Sequence, residues 1–156
     1  MLTHLDDNHN PTMVDVSGKT VSHRTATARS IVSLPNEVLQ HLTGGDLQTK
    51  KGSVFQTAII AGIMAAKKTG DLIPLCHPLG LDNCNITISL NEQKEVIIDC
   101  TASITAKTGV EMEALVGASI AALTVYDMCK AMSHDIVIRE TKLLSKTGGK
   151  RDFKRG

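Results

Sequence analysis

The order of predicted elements indicates an α+β domain with the ferredoxin-like βαββαβ topology. Two segments rich in β-branched residues, 83–90 (NCNITISL) and 95–106 (EVIIDCTASITA), follow each other with only a hairpin-sized link between them. A long apolar helical segment lies on each side of this pair, and a strand-like segment lies beyond each helix. This order predicts an antiparallel sheet with the helices packed on one face. At 156 residues the chain fits a single domain, residues 1–156.

The N-terminal third predicts a tail, a strand and a short extra helix. Residues 1–13 are polar and lack a periodic pattern, which is typical of a flexible tail. Residues 24–33 (RTATARSIVS) predict the first strand. Pro35 suits the first turn of a helix and a Gly-Gly pair suits its end, so residues 36–42 predict a short helix. This helix is an addition to the first crossover of the fold.

The next two segments predict a helix and a rigid connection. Ser53 is a suitable N-cap for a helix over residues 54–68, whose Ala and Gly content permits close approach of another element. Two prolines, Pro74 and Pro78, then exclude a helix and predict an extended segment. This segment holds Cys76 and His77 in a fixed place.

The second long helix, within residues 108–130, contains no charged residue between Glu113 and Asp127. A helix that is apolar all round is buried on most sides, so we expect a core or interface helix. We interpret it as too short for a membrane span, which needs about 20 apolar residues. Its charged ends are either simply solvated or part of a functional site.

The C-terminal part predicts a last strand over residues 135–145 and a flexible tail over about residues 147–156, which is Gly-rich and basic. Gly148 and Gly149 followed by Lys150 form either a phosphate-binding loop or only part of this tail, and the local pattern favours the tail.

Composition excludes several classes of protein. A net charge of +1 and 2% aromatic residues weigh against binding to nucleic acid. The four cysteines include no CxxC pair, which predicts reduced thiols in a cytosolic protein. No leader or anchor segment is evident, so we expect a cytoplasmic protein that does not bind membranes. Cys76 and His77 are neighbours without a second ligand cluster, so no metal site is predicted.

Asp127 and Lys130 are three residues apart and share one face of the helix. They can form an ordinary exposed ion pair, or a proton-transfer pair whose pKa values are shifted by burial. The spacing alone favours the ion pair. Lys51, at the start of the preceding helix, is a candidate for anion binding, and a solvated lysine is the competing interpretation.

Six motifs together make the chain similar to a known enzyme family. They are MVDVS at 13–17, AGIMAAKKT at 61–69, LIPLCHPL at 72–79, KTGVEMEAL at 107–115, ALTVYDMCKA at 122–131 and SKTGGK at 145–150. In these motifs the chain resembles the cyclic pyranopterin monophosphate synthase family of molybdenum cofactor biosynthesis. The resemblance covers nearly the whole chain.

This resemblance implies a reaction. The substrate would be 3′,8-cyclo-7,8-dihydroguanosine 5′-triphosphate, and the products cyclic pyranopterin monophosphate and diphosphate, which makes the enzyme a phosphorus–oxygen lyase. The sequence requires no cofactor, although Mg²⁺ could accompany the triphosphate. The alternative is a non-catalytic nucleotide-binding module on the same fold, because a fold does not fix a function.

The resemblance also implies the residues of the site. Lys51, Asp127 and Lys130 match catalytic positions of the family, and we assign proton transfer to them. Substrate-binding positions of the family are matched by Arg24, Leu75, Cys76, His77, Glu111, Met112, Glu113 and Lys146. Among these, Arg24, His77 and Lys146 would hold phosphate oxygens, and Glu113 would bind N–H groups of the ring system.

The spacing of Glu113 and Asp127 predicts association of chains. Fourteen residues of helix span roughly 21 Å at about 1.5 Å per residue, more than one modest ligand reaches easily. A site shared between two chains would solve this, whereas an extended triphosphate lying along one chain is the alternative. The family resemblance implies a homohexamer built as a trimer of dimers.

Overall fold

The structure is a computed structural model that describes residues 4–156. The elements in chain order are β1 (Ser22–Ser33), α1 (Asn36–Leu39), β2 (Leu42–Thr43), β3 (Asp46–Thr49), β4 (Gly52–Ser53), α2 (Val54–Lys67), α3 (Thr69–Leu72), β5 (Asn83–Leu90), β6 (Val96–Ala106), α4 (Glu111–Cys129), β7 (Val137–Thr147) and β8 (Phe153–Lys154).

The main sheet confirms the predicted topology. It has five strands in the order β5-β6-β1-β7-β8. Every neighbouring pair is antiparallel. The four long strands thus have the order of the ferredoxin-like fold, in which the first and third strands of βαββαβ lie at the centre. The two crossovers that leave β1 and β6 contain α2 and α4.

The sheet buries one face against these helices. Along β6, alternate residues from Val96 to Ile104 are buried and the residues between them are only partly buried. The opposite face is mostly polar, apart from the pair Ile31 and Ile97, and its side chains pair across strands. Thr27 and Thr101 share a hydroxyl hydrogen bond of 2.8 Å. This alternation is the pattern of a sheet with one apolar face on a core.

The two long helices approach each other closely at two glycines. A Cβ atom on Gly62 of α2 would lie 2.7 Å from the carbonyl oxygen of Gly117 and 2.4 Å from Ile86. A Cβ atom on Gly117 of α4 would lie 2.6 Å from the sulfur of Cys100 in the sheet. The absence of side chains at these points lets α4 lie directly on both α2 and β6.

The first crossover differs from the prediction. The helix predicted over residues 36–42 ends at Leu39, and residues 42–53 form a second, three-stranded sheet in the order β2-β3-β4. Gly44 and Gly45 have φ values of +60° and +82° and make the two-residue turn between β2 and β3. The glycine pair therefore closes a hairpin rather than a helix, because both turn positions require positive φ.

Both predicted tails contain local structure. Residues 4–12 form a turn in which the Asp6 carboxylate accepts two backbone N–H bonds of 2.9 Å, from Asn8 and Asn10. At the other end β7 extends to Thr147, and Phe153 of β8 pairs with Lys146. The first three residues lie outside the described range. The flexibility of the two tails stays a prediction.

The interpretation of α4 as too short for a membrane span is wrong on length alone. Its 19 residues are long and apolar enough to cross a membrane by composition. Half of its most apolar 18-residue window is nevertheless buried inside the domain. The buried half of this surface is covered by α2 and the sheet, as expected for a core helix.

The glycine contact between α2 and α4 yields a stability prediction. Gly62→Ala adds a methyl group where the Gly117 carbonyl lies, and overpacking of this kind costs about 1–3 kcal/mol. Alanine gains about 1 kcal/mol in helix propensity. We expect a net loss of up to about 2 kcal/mol in the free energy of unfolding, measured by urea denaturation at matched protein concentration.

The control for this prediction is Gly80→Ala. Gly80 lies in a loop where a Cβ atom meets nothing within 4 Å. Alanine there should leave the stability unchanged or raise it by a few tenths of a kcal/mol. A Gly62→Ala protein more stable than the wild type would show that the added methyl group is accommodated between the two helices without strain.

Candidate active site

The predicted site residues fall into two groups at opposite ends of α4. One group lies at the C-terminal end of this helix and contains Lys51, Asp127 and Lys130, and we call it the lysine–aspartate cluster. The other lies at the N-terminal end and includes Glu111 and Glu113, and we call it the glutamate cavity. The helix itself, apolar between the two, fixes the distance that separates them.

The lysine–aspartate cluster is held by direct contacts around one carboxylate. The Lys130 Nζ lies 3.0 Å from Asp127 Oδ1, and the Lys51 Nζ lies 3.5 Å from Asp127 Oδ2. Lys130 reaches Asp127 along the helix, three residues away. Lys51 comes from the two-residue turn between β3 and β4. The three residues predicted to be catalytic are therefore brought together within one chain.

The geometry of the β3–β4 turn determines the position of Lys51. Thr49 pairs with Gly52 across the hairpin, which leaves Lys50 and Lys51 as the turn residues. The backbone N–H of Lys51 donates to Thr49 Oγ1 at 3.1 Å. Gly52 has a φ of +107°, a conformation that residues with a side chain rarely adopt. A lysine in such a tight turn presents its side chain away from the hairpin.

The environment of Asp127 differs from the proton-transfer hypothesis. Its side chain is 55% exposed, so burial does not govern its ionisation. The hydrogen bond and charge of Lys130, followed by those of Lys51, hold the pKa of Asp127 below its ordinary value. In a single chain Asp127 is therefore an ionised carboxylate bound to two ammonium groups. Such a carboxylate binds a proton weakly until the lysines are drawn elsewhere.

A cavity of about 570 Å³ opens beside this cluster. It is lined by the hairpin and by the chain around the end of α4, through His41, Gln48, Thr49, Lys50, Lys51, Asp127, Met128, Lys130, Ala131 and Met132. Its walls combine methionine side chains with three lysines and one carboxylate. This lining suits an anionic ligand that also has an apolar surface.

The glutamate cavity joins most of the predicted substrate-binding residues. A space of about 430 Å³ is lined by Leu75, Cys76 and His77 on one side and by Glu111, Met112 and Glu113 on the other. The proline-flanked segment thus lies over the first turn of α4. Its other wall comes from the N-terminal segment through Val14 and Val16.

Glu113 is the most deeply buried acid of this group, with only 3% of its surface exposed. Burial, together with the charge of Glu111, raises the pKa of Glu113. The same burial, with the charge of Glu113, raises the pKa of the Cys76 thiol. A helix N-terminus favours a negative charge, so here desolvation outweighs the helix dipole.

His77 is fixed by the N-terminal segment. Its Nε2 lies 2.7 Å from the carbonyl oxygen of Val14, so this nitrogen carries the proton and donates it. Only Nδ1 remains for a ligand. As a result the imidazole can donate to an anion only when it is doubly protonated.

Arg24 and Lys146 extend the glutamate cavity. Lys146 Nζ lies 3.3 Å from Glu111 Oε1. Arg24 donates from Nε to the carbonyl oxygen of Ala106 at 3.0 Å and lines an adjoining space of about 580 Å³. Lys19 and Lys150 line both spaces. This end of the molecule therefore combines two buried or half-buried carboxylates with four cations.

Several residues of these cavities were not predicted from the residue pattern. Val14 and Val16 lie within a motif that carries the family resemblance, which is the signal that could have identified them. Lys150 belongs to the Gly-Gly-Lys segment, for which the local pattern favoured a tail over a phosphate-binding loop. Lys19 lies outside those motifs, and only its contact with both spaces reveals it. Within residues 4–156 no three His, Cys, Asp or Glu side chains are close enough to hold a metal ion together.

Comparison with known proteins places this arrangement in a family. The profile of the MoaC family matches residues 13–149. A relative from Xanthomonas oryzae pv. oryzae, named cyclic pyranopterin monophosphate synthase, is 55% identical over 152 residues, which cover 97% of this chain and 92% of the relative. One of the same name from Brevibacillus brevis is 49% identical over 99% of this chain and 96% of its own length.

The match also includes a larger protein. A Synechocystis protein named molybdenum cofactor biosynthesis bifunctional protein is 53% identical over 97% of this chain, which covers only 45% of that relative. The agreement with the shorter relatives extends over nearly their full length. By the extent of both the family match and these identities, the chain belongs to the MoaC family.

Proposed function

We propose that this protein is a cyclic pyranopterin monophosphate synthase. It converts 3′,8-cyclo-7,8-dihydroguanosine 5′-triphosphate into cyclic pyranopterin monophosphate and diphosphate, a phosphorus–oxygen lyase reaction of molybdenum cofactor biosynthesis in the cytoplasm. The observation that carries the proposal is the contact of two lysines with one carboxylate beside a cavity, in a chain whose relatives bear this name. Such a set can bind phosphate oxygens and move protons.

The lysine–aspartate cluster supplies the proton transfers in this proposal. Before substrate binds, Lys51 and Lys130 neutralise Asp127. When phosphate oxygens compete for the two ammonium groups, Asp127 loses the contacts that lower its pKa and becomes a better base. The negative charge of the substrate thereby prepares the residue that accepts its proton. No redox cofactor has a part in these steps, and Mg²⁺ bound to the triphosphate is compatible with them.

The glutamate cavity recognises the substrate. Glu113 is buried and its side chain suits N–H groups of the guanine-derived ring, for which no Phe, Tyr or Trp side chain lines the described cavity. Lys146, Arg24 and His77 supply hydrogen-bond donors for phosphate oxygens. Leu75, Cys76 and Met112 complete the wall and fix the shape of the space.

The two clusters act in one site only if two chains contribute to it. Within one chain they lie roughly 21 Å apart along α4 by the rise of about 1.5 Å per residue. Three large apolar side chains on the helical layer, Ile60, Met64 and Leu123, are 60%, 53% and 52% exposed. If these residues are buried between two chains whose α4 helices run in opposite directions, the lysine–aspartate cluster of each chain lies near the glutamate cavity of its partner. A homohexamer made as a trimer of dimers, as the family resemblance implies, provides such interfaces.

The first prediction tests catalysis. Asp127→Asn keeps the size of the side chain but removes the base, so turnover should fall by about 10²-fold or more. Diphosphate release and the fluorescence of the oxidised pterin product measure it after incubation with the cyclic triphosphate. Asp135→Asn, which changes an exposed carboxylate that does not line the cavity beside the cluster, is the matched control and should retain activity. Substrate binding without any product from the wild-type protein would favour the non-catalytic nucleotide-binding module.

The second prediction concerns His77. Because Nε2 donates to the carbonyl oxygen of Val14, Nδ1 is the ring nitrogen that is left for a ligand. His77→Ala should weaken the binding of an unreactive methylene analogue of the triphosphate by about 10-fold, which corresponds to the loss of one hydrogen bond to a charged group. Calorimetric titration of the wild-type and variant proteins at one pH measures the two affinities. Equal affinities would assign His77 to positioning of the N-terminal segment alone.

The third prediction tests the shared site by mixing inactive variants. Asp127→Asn and Glu113→Gln proteins, mixed under conditions that exchange subunits, should regain part of the activity, because one site in each mixed pair has both clusters intact. Lys51→Ala mixed with Asp127→Asn is the control. These two residues touch within one chain, so no mixed site is intact and activity should stay low. Recovery in neither mixture despite exchange would mean that each chain has a complete site.

A further inference from the structure

Lys51 is carried by an element that has little stability of its own. The strands β3 and β4 contain four and two residues, and the turn between them holds Lys50 and Lys51. An isolated two-stranded hairpin is marginally stable at best in water. The distance from Lys51 to Asp127 therefore depends on what fastens this hairpin to the rest of the domain.

One carboxylate at the base of the hairpin makes that connection. Asp46 Oδ1 accepts the backbone N–H of Leu47 at 2.6 Å and that of Phe55 at 2.9 Å. Asp46 Oδ2 accepts the hydroxyl hydrogen of Ser53. Ser53 in turn caps α2 by accepting the Gln56 N–H at 3.3 Å. Asp46 thus links the first residue of β3 to the last residue of β4 and to the first turn of α2.

The same residue lies close to the end of α4. The thiol of Cys129, the last residue of α4, has a pKa raised to about 11, mainly by burial and then by the charge of Asp46. The neighbouring Leu47 is fully buried in the core. The base of the hairpin is therefore packed where α2 begins and α4 ends, two residues beyond Asp127.

We propose that Asp46 is a positioning residue for Lys51, which fastens the β3–β4 hairpin to α2 so that the Lys51 amine is held against Asp127. This inference rests on the proposed function and on the part of Lys51 in it. A lysine amine ends a flexible four-carbon chain, so its backbone must be fixed if the amine is to stay within reach of the reacting groups. Misplacement of a reacting group by about 1 Å can cost about 10²-fold in rate.

The hydrogen bonds, rather than the charge, define this role. An asparagine at position 46 keeps a carbonyl oxygen for the two backbone N–H groups, and its amide N–H can donate to the Ser53 hydroxyl, which also accepts. An alanine can do neither. Asp46→Asn is therefore the conservative variant that retains the connection, and Asp46→Ala is the variant that breaks it.

The test is a double-mutant cycle with Lys51. Asp46→Ala should lower kcat by about 10-fold or more while KM changes less than about 3-fold, and Asp46→Asn should stay within about 3-fold of the wild type. In a Lys51→Ala background the same Asp46→Ala change should alter the residual single-turnover rate by less than about 2-fold, because the residue that it positions is absent. All rates are measured at a temperature where every variant is folded.

Hydrogen exchange gives a second readout that does not need activity. Asp46→Ala should raise the exchange rates of the backbone amides of residues 49–52 by about 10-fold or more, and Asp46→Asn should not, because only the first releases the hairpin. If Asp46→Ala does not fold, Ser53→Ala removes the Oδ2 partner and the cap on the Gln56 N–H but leaves the two backbone N–H bonds to Oδ1. It carries the same cycle, with an expected loss of about 3-fold in kcat.

Three results would overturn the inference. They are an equal loss of activity in both backgrounds, a loss of more than about 10-fold in Asp46→Asn, and unchanged exchange in the hairpin of Asp46→Ala. A wild-type protein that makes no product would instead overturn the proposed function. Hydrogen exchange would then still report whether Asp46 holds the hairpin, so the two failures are distinguishable.

Discussion

The close contact of α4 with α2 and the sheet is the constraint on which the rest of the molecule depends. Gly117 lets α4 approach Cys100 of β6, and Gly62 lets α2 approach Gly117. Neither glycine contributes a side chain at this point, so the close contact fixes the depth and rotation of α4 in the core. The packing of α4 at this contact therefore determines the positions of the side chains at both of its ends. A densely packed interior resists displacement, which gives the site a rigid base.

The apolar middle of α4 also explains why the ionisable groups are at its ends. A charge within the core would lose its hydration without a partner, so acids and amines are tolerated only where the helix leaves the core. The two ends then give opposite environments. Glu113 is enclosed by other segments and its pKa is raised, whereas Asp127 is exposed beside two lysines and its pKa is lowered. One helix thus carries a buried acid at one end and, at the other, an ionised acid paired with two lysines, and the proposed function assigns recognition to the first and proton transfer to the second.

The sequence motifs predicted which residues belong to the candidate site, but they did not predict the environment of those residues. The family resemblance identified Lys51, Asp127 and Lys130, and the structure brings these three into contact. The resemblance did not predict that Asp127 is exposed and paired with Lys51 and Lys130 of the same chain. The exposure of Asp127 depends on which elements cover the end of α4. Val14 and Lys19 show the same limit. Each lies in the N-terminal segment and lines a cavity whose other walls are far away in sequence, so the residues around it do not predict the contact.

The sequence by itself determined the ferredoxin-like order of strands and long helices, because alternation of apolar residues and the uncharged middle of α4 set which surfaces must be buried. It also determined the N-cap of α2, where Ser53 accepts the Gln56 N–H. Only the tertiary structure decided the small three-stranded sheet, in which a glycine pair that suits either a helix end or a tight turn became a turn. The contacts of Asp46 with Ser53 and with the start of α2 were likewise decided only by the tertiary structure. These features depend on contacts between segments that are separated in sequence. The free energies of such contacts cannot be deduced from the residues of one segment alone.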